Sequence, residues 1–132
     1  MTIAERVEAR IKRSRRDVFV RDDFSDIAGY DQIGRALREL CKKELLMKIG
    51  YGIYTKARKN RINNRLMPAA SGGPDSILLE TLQRLNVPYE LSGLTAAYAA
   101  GKTTQIPASM EVRVKKRFSR KLVIGSTKLN AT

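Results

Sequence analysis

Asp31-Gln-Ile-Gly-Arg-Ala-Leu-Arg-Glu-Leu-Cys-Lys-Lys43, followed by Leu45-Leu-Met-Lys-Ile-Gly-Tyr-Gly-Ile-Tyr-Thr-Lys-Ala57, is the stretch that decides the fold. In its first part Ile33, Leu37, Leu40 and Cys41 recur on one helical stripe with Ala36 beside it, so a helix is expected from Asp31 to about Lys43. At about 100° per residue the opposite face carries Asp31, Gln32, Arg35, Arg38 and Lys42. Leu45 to Ile49 and Ile53 to Ala57 read as two strands. The glycines of Gly50-Tyr51-Gly52 between them are expected to supply the positive φ of a tight hairpin.

Towards the N-terminus, Thr2 and Glu5 have capping-box spacing, and Ile3, Val7 and Ile11 repeat on one face through about Ser14. Asp17-Val-Phe-Val20 has the β-branched and aromatic content of a short strand. Asp22 or Asp23 then caps a short helix through Ala28, which Gly29 ends. The order helix, strand, helix, helix, hairpin is that of a winged helix-turn-helix, expected over residues 1–60. Arg58 to Ala70 is basic and Asn-rich without periodicity, and Pro68 and Ser71-Gly-Gly-Pro74 punctuate it, so 61–73 reads as a linker.

Residues 74–132 read as a small C-terminal region of helices and antiparallel sheet. Pro74 opens a helix to Leu85 with Ile77, Leu78, Leu82 and Leu85 inward, and a second helix runs from Ser92 to Ala100 with Gly101 as its stop. Met110 to Val114, Lys121 to Ile124 and Thr127 to Ala131 are the expected strands, with Gly125 at a turn. The fold class is therefore α+β. The C-terminal region is the candidate for dimerisation or partner binding.

Among 132 residues, 26 Lys+Arg stand against 13 Asp+Glu, a formal charge of +13, and without histidine none of it switches near neutral pH. A polyanion is the expected partner. No apolar run approaches the roughly 20 residues of a spanning helix, so no membrane association is expected. Met1 to Arg16 has the amphipathic, Arg-rich look of a transit peptide, but Glu5 and Glu8 argue for an ordinary helix. The single cysteine, Cys41, sits on the apolar stripe of its helix and fits a reduced, cytoplasmic setting. No metal site or cofactor is expected without histidine or a second cysteine.

The same pattern names candidate DNA contacts, because long polar side chains opposite a packed face can reach base edges in a major groove. Arg35 is the candidate for guanine and Gln32 for adenine, Tyr30 and Arg38 would hold sugar or phosphate, and Lys42 completes the DNA-binding set of the recognition helix. Asp31 is expected to cap the helix or orient Arg35. Lys48, Tyr51, Lys56 and Arg58 would contact the backbone from the wing, and Lys12, Arg13, Arg15 and Arg16 would add affinity without specificity. Tyr54 alternates with Ile53 in a strand and reads as core or interface.

Two enzyme-like motifs fail on context. Ser71-Gly-Gly-Pro-Asp-Ser76 matches a pyrophosphate loop but follows no buried strand, and Gly101-Lys-Thr103 lacks the upstream glycine of a P-loop. Without histidine no Ser/His/Asp or Cys/His set exists, so no enzyme is expected.

Tyr30 to Leu40 followed by Lys48-Ile-Gly-Tyr-Gly-Ile-Tyr54, and later Ala97 to Pro107 with Ser119 to Gly125, resembles the AbiEi-type antitoxin family of winged-helix proteins. The shared pattern is an ALxxL helix, a short basic hairpin and a G-x-Y ending. The resemblance implies an autorepressor that binds operator DNA, paired with a nucleotidyltransferase-type toxin, with Gln32, Arg35, Arg38 and Lys48 facing DNA. Two other readings stay open: a protein-interaction module that neutralises a toxin or bridges subunits, and an RNA binder, which is ranked lower for want of an aromatic stacking platform. A homodimer would suit a palindromic operator.

Overall fold

In the computed structural model, which describes residues 2–70, 73–105, 112–114, 121–124 and 127–129, the chain is α+β, with antiparallel sheets and four α-helices among those residues. Helix α1 (Ile3–Arg13) starts on the full capping box, with the Thr2 side chain accepting from Glu5 N–H and the Glu5 carboxylate from Thr2 N–H. It buries Ala4, Val7 and Ile11. Strand β1 (Val18–Val20) leads into a single 3-10 turn, Arg21–Phe24.

The expected α-helix from Asp22 or Asp23 to Ala28 is thus corrected to that one turn. The Asp23 carboxylate accepts Val20 N–H at 2.9 Å, Phe24 is fully buried, and Ile27 N–H donates to the Phe24 carbonyl at 2.9 Å. Side-chain and turn hydrogen bonds satisfy this short segment, and too few residues remain before Gly29 to propagate a helix.

Helix α2 (Tyr30–Lys42) buries Ile33, Gly34, Ala36, Leu37 and Leu40. Its N-cap is Gly29, whose N–H donates to Gln32 Oε1 at 3.3 Å, so the capping role expected of Asp31 belongs to Gln32. Strands β2 (Leu46–Gly50), β3 (Ile53–Lys59) and β4 (Leu66–Pro68) follow. The sheet order is β1-β3-β2, all antiparallel, with β4 pairing the far half of β3 through Ala57↔Pro68, Arg58↔Met67 and Lys59↔Leu66. Residues 61–73, expected as a linker, therefore carry a strand that extends the β3 hairpin ladder.

Only one of the two hairpin glycines serves backbone geometry. Gly52 has φ 70, as expected, whereas Gly50 has none and instead lets another strand approach. A Cβ at Gly50 would meet Leu122 Cδ2 at 2.9 Å and the Lys121 carbonyl oxygen at 3.0 Å.

That strand belongs to the second half of the chain. Helices α3 (Gly73–Arg84) and α4 (Gly93–Ala99) match the expected pair, while β5 (Tyr89–Leu91) was not anticipated. It pairs with β6 (Val112–Val114), and β7 (Leu122–Ile124) pairs with β8 (Thr127–Leu129). The single small sheet expected here is two separate two-stranded ladders. Met110, Gly125 and Ala131, named in the expected strands and turn, lie outside the described residues.

The central sheet is covered on both faces. Phe19, Leu46 and Tyr54 pack with Val7, Ile11, Phe24, Leu37 and Leu40 beneath α1 and α2. On the other face Val18, Ile49 and Ile53 pack with Ile77, Leu78 and Leu82 of α3 and Leu122 and Ile124 of β7. Three layers result, helices on sheet on helix and ladder, and the middle layer belongs to both cores. Glu80 stitches the layers, because its Oε2 accepts the N–H groups of Asp17 at 3.0 Å and Val18 at 2.5 Å. No described helix is long and apolar enough to cross a membrane.

Candidate nucleic-acid interface

Helix α2 is strongly two-faced. Ile33 is 1% exposed and Leu37 fully buried, whereas Tyr30, Asp31, Gln32, Arg35, Arg38 and Lys42 are all exposed. The burial follows the 3.6-residue period seen in the sequence, because the sheet and α1 cover one side only. Gln32 and Arg35 lie together on a groove whose other wall is the first turn of α1, Thr2, Ile3 and Ala4. Gln32 spends its Oε1 on the Gly29 amide, which orients the side chain from the helix start.

The β2–β3 hairpin reaches the opposite side of the first turn of α2. Tyr30, Tyr51 and Gly52 line one cleft with Val20, Arg21, Asp22, Arg84 and Leu85, about 360 Å³ in volume. Tyr51 is 72% exposed, and the Lys48 ammonium sits 5.6 Å from its ring centroid, so the hairpin tip presents a cation over an aromatic face.

Arg21, not singled out from the sequence, organises this corner. Its guanidinium lies 4.3 Å from the Tyr30 ring centroid. It also fills the space above Gly34, where a Cβ would stand 2.7 Å from its Cζ. Gly34 is buried on the α2 face turned to the 3-10 turn, and a larger residue there would push Arg21 away. A glycine inside a helix with good apolar periodicity was the available signal, since it costs helix propensity and implies close packing.

Burial in the core pushes the Tyr54 phenol up from its ordinary pKa, opposed by the charge of Arg21. Tyr54 is 2% exposed, a core residue as its strand alternation suggested. Burial likewise pushes the Cys41 thiol up, with nearby Lys48 acting against it, so the thiol is held neutral.

The remaining expected wing residues stand elsewhere. Lys56 pairs with Leu46, at the end of the hairpin away from Tyr51, and its Nζ donates to the Ser14 carbonyl at 2.7 Å. It closes the end of α1. Arg58 is exposed but lies in the β3–β4 ladder opposite Met67.

Of the basic run, Lys12 pairs with Glu8 at 3.1 Å and Arg16 approaches Asp23 at 3.8 Å. Arg13 lines a groove with Arg6, Arg10 and Ile27, and Arg15 is exposed. These residues sit at the C-terminal end of α1, about 15 Å along its axis from the first turn that borders Gln32 and Arg35. Nearby, Arg10 grips Asp26 through two bonds of 2.5 and 2.7 Å, which pulls the Asp26 carboxyl down to a pKa of about 2.

The structure therefore unites Tyr30 and Tyr51 with Arg21 around the start of α2, sets Lys48 over the Tyr51 ring, and aligns Gln32, Arg35, Arg38 and Lys42 along the outer face of α2. Among the described residues no three His, Cys, Asp or Glu side chains cluster to hold a metal ion. No curated protein and no solved structure matches the chain. The family match spans residues 3–131, nearly the whole sequence, and the protein belongs to DUF6088, a family of unknown function.

Proposed function

We propose that this protein is a sequence-specific duplex-DNA-binding regulator of the winged-helix kind, with α2 as recognition helix and the β2–β3 hairpin as wing. The observation that carries the reading is the exposed Gln32-Arg35-Arg38-Lys42 face of α2 beside the Lys48–Tyr51 tip. The chain order α1, β1, turn, α2, β2, β3 and the sheet order β1-β3-β2 suit that architecture, with the second helix reduced to a 3-10 turn. The +13 charge supports phosphate affinity, and Gln32 and Arg35 carry the base preference. The likeness to AbiEi-type antitoxins extends the reading to an autorepressor of a toxin–antitoxin operon, with a nucleotidyltransferase-type toxin as partner.

Gel-shift titration against the duplex upstream of its own gene tests this. Arg35→Ala is expected to cost about 1–3 kcal/mol of discrimination, roughly five- to 150-fold, on the preferred site alone. Lys48→Ala should weaken every duplex about equally and flatten the salt dependence by roughly one phosphate. Binding of no duplex above background sinks the proposal. A second reading, a module that takes a protein partner or a second copy, draws on Tyr98 and Val123, which are 45% and 44% exposed in the C-terminal half. Co-purification of the neighbouring gene product with wild type but not with Tyr98→Ser or Val123→Ser would favour it.

A further inference from the structure

Residues 60–65 join β3 to β4 in a turn held by its own hydrogen bonds. Asn60 N–H donates to the Arg65 carbonyl and Asn64 N–H to the Asn60 carbonyl, both at 2.8 Å. The Asn60 side chain accepts Ile62 N–H at 2.8 Å and the Asn63 side chain accepts Arg65 N–H at 3.0 Å. Asn64 takes φ 57, a conformation asparagine tolerates better than most residues. The result is a shaped knuckle that presents Ile62, 96% exposed, with Arg61 and Arg65 exposed on the same turn. Ile62 contributes nothing to the cores of this fold, and an apolar side chain displayed on a turn that also carries two exposed arginines suits a partner that is apolar within and anionic without.

The knuckle is also aligned with α2. The first turn of α2 adjoins the β2–β3 tip, because Tyr30, Tyr51 and Gly52 line one cleft. Just past its last turn, Glu44 pairs with Lys59 Nζ at 3.0 Å, at the base of the β3–β4 hairpin. The 13 residues of α2 span about 20 Å and the seven of β3 about 23 Å, so helix and strand run side by side with a hairpin tip beyond each end.

We propose that this turn is a second DNA contact, in which Ile62 enters the minor groove flanking the major groove that receives α2 and wedges at a base step. Arg61 and Arg65 hold the phosphates that border it. The inference rests on the duplex-DNA reading above. Half a DNA turn, about 17 Å, separates the centre of a major groove from the next minor groove, and the knuckle lies on the order of 15 Å from the middle of β3. Apolar wedges flanked by arginine kink DNA by partly unstacking one step, and the negative potential of a narrow minor groove draws the guanidinium groups in.

The test uses the full chain and its upstream duplex end-labelled with a fluorescence energy-transfer pair, read for bend and for affinity. Wild type is expected to shorten the end-to-end distance. Ile62→Ser should lose that bend and about tenfold in affinity while keeping sequence preference, and Ile62→Leu should restore both. The double variant Arg61→Ala, Arg65→Ala should reduce the salt slope by about 1.8, two phosphates' worth.

Because Ile62 is almost wholly exposed, these chains should melt with wild type. If Ile62→Ser bends and binds like wild type, or wild type leaves the duplex straight, the inference is overturned; a loss of binding in Arg35→Ala would then leave the DNA-binding reading standing. Binding of no duplex overturns both. Sedimentation of wild type but not Ile62→Ser with phosphatidylglycerol vesicles, with DNA behaviour unchanged, overturns it in favour of a lipid contact.

Discussion

Gly34 and Arg21 form a matched pair: the missing side chain of one makes the bed for the other. In Gly34→Ala the new methyl gains up to about 1 kcal/mol of helix propensity but displaces the guanidinium from above the helix and from Tyr30. Stability is expected to change little, while the near-ultraviolet circular dichroism of Tyr30 and Tyr54 changes and DNA affinity drops. Unaltered tyrosine signals would show that Arg21 keeps its seat. The Arg10–Asp26 pair sets a pH dependence of defined sign. The Asp26 carboxyl titrates near 2 in the folded chain against 3.8 as its ordinary value, so the pair stabilises above about pH 4 and that contribution is lost as pH falls towards 2. The melting temperature of Asp26→Asn should lie below wild type at pH 7, and the two should converge at pH 2. Tyr54 has the opposite sign: its phenol is pushed up by burial, so its contribution fades as pH rises beyond 10. Absorbance titration should reveal a late tyrosine step that Tyr54→Phe removes.

Adjacent residues of α2 divide the fold from the proposed DNA contact. Leu37 is fully buried beneath α1 and the sheet, so Leu37→Ala should cost about 2–5 kcal/mol, read in denaturant melts. Its exposed neighbour Arg38 should change stability by no more than about 0.5 kcal/mol on truncation to alanine, yet weaken DNA binding. Equal stability losses at both positions would contradict the two-faced helix. The β2–β3 hairpin makes a different demand. Gly50→Ala forces a methyl against the Lys121 carbonyl and Leu122, backbone and core rather than a flexible tip, and is expected to destabilise by about 1–3 kcal/mol. This position looked like a turn glycine in the sequence because Gly-Tyr-Gly between strands is turn chemistry; only the presence of β7 reveals its packing role.

Across the whole molecule, the two cores share one sheet, and this sets how separable the halves are. Residues 1–60 alone would leave Val18, Ile49 and Ile53 without α3 and β7, and the edge amides of Asp17 and Val18 without Glu80. Such a fragment should lose cooperative melting, whereas an autonomous N-terminal domain would keep it. In the intact chain Glu80→Ala should cost about 1–3 kcal/mol through those two amides. The ion pair of Arg84 with Asp23 joins α3 to the 3-10 turn in the same way, next to the cleft that holds Tyr30 and Tyr51.

By itself the sequence determined the local elements whose period was strong: α1, α2, the β2–β3 hairpin, α3, and the outward face of Gln32, Arg35, Arg38 and Lys42. Those follow from near-neighbour spacing, which the chain encodes directly. Val18-Phe19-Val20 carried a further signal, an unbroken apolar run that fits a strand buried on both faces, but nothing in the spacing named the second covering layer. Tertiary structure alone decided that Asn60 to Pro68 turns back as a hairpin, that Lys56 closes α1 rather than reaching the β2–β3 tip, and that Arg21 stacks on Tyr30 at the first turn of α2. Each of these depends on contacts between residues far apart in sequence, and a strand of three residues such as β4 has too little period of its own to be seen before its partner is in place.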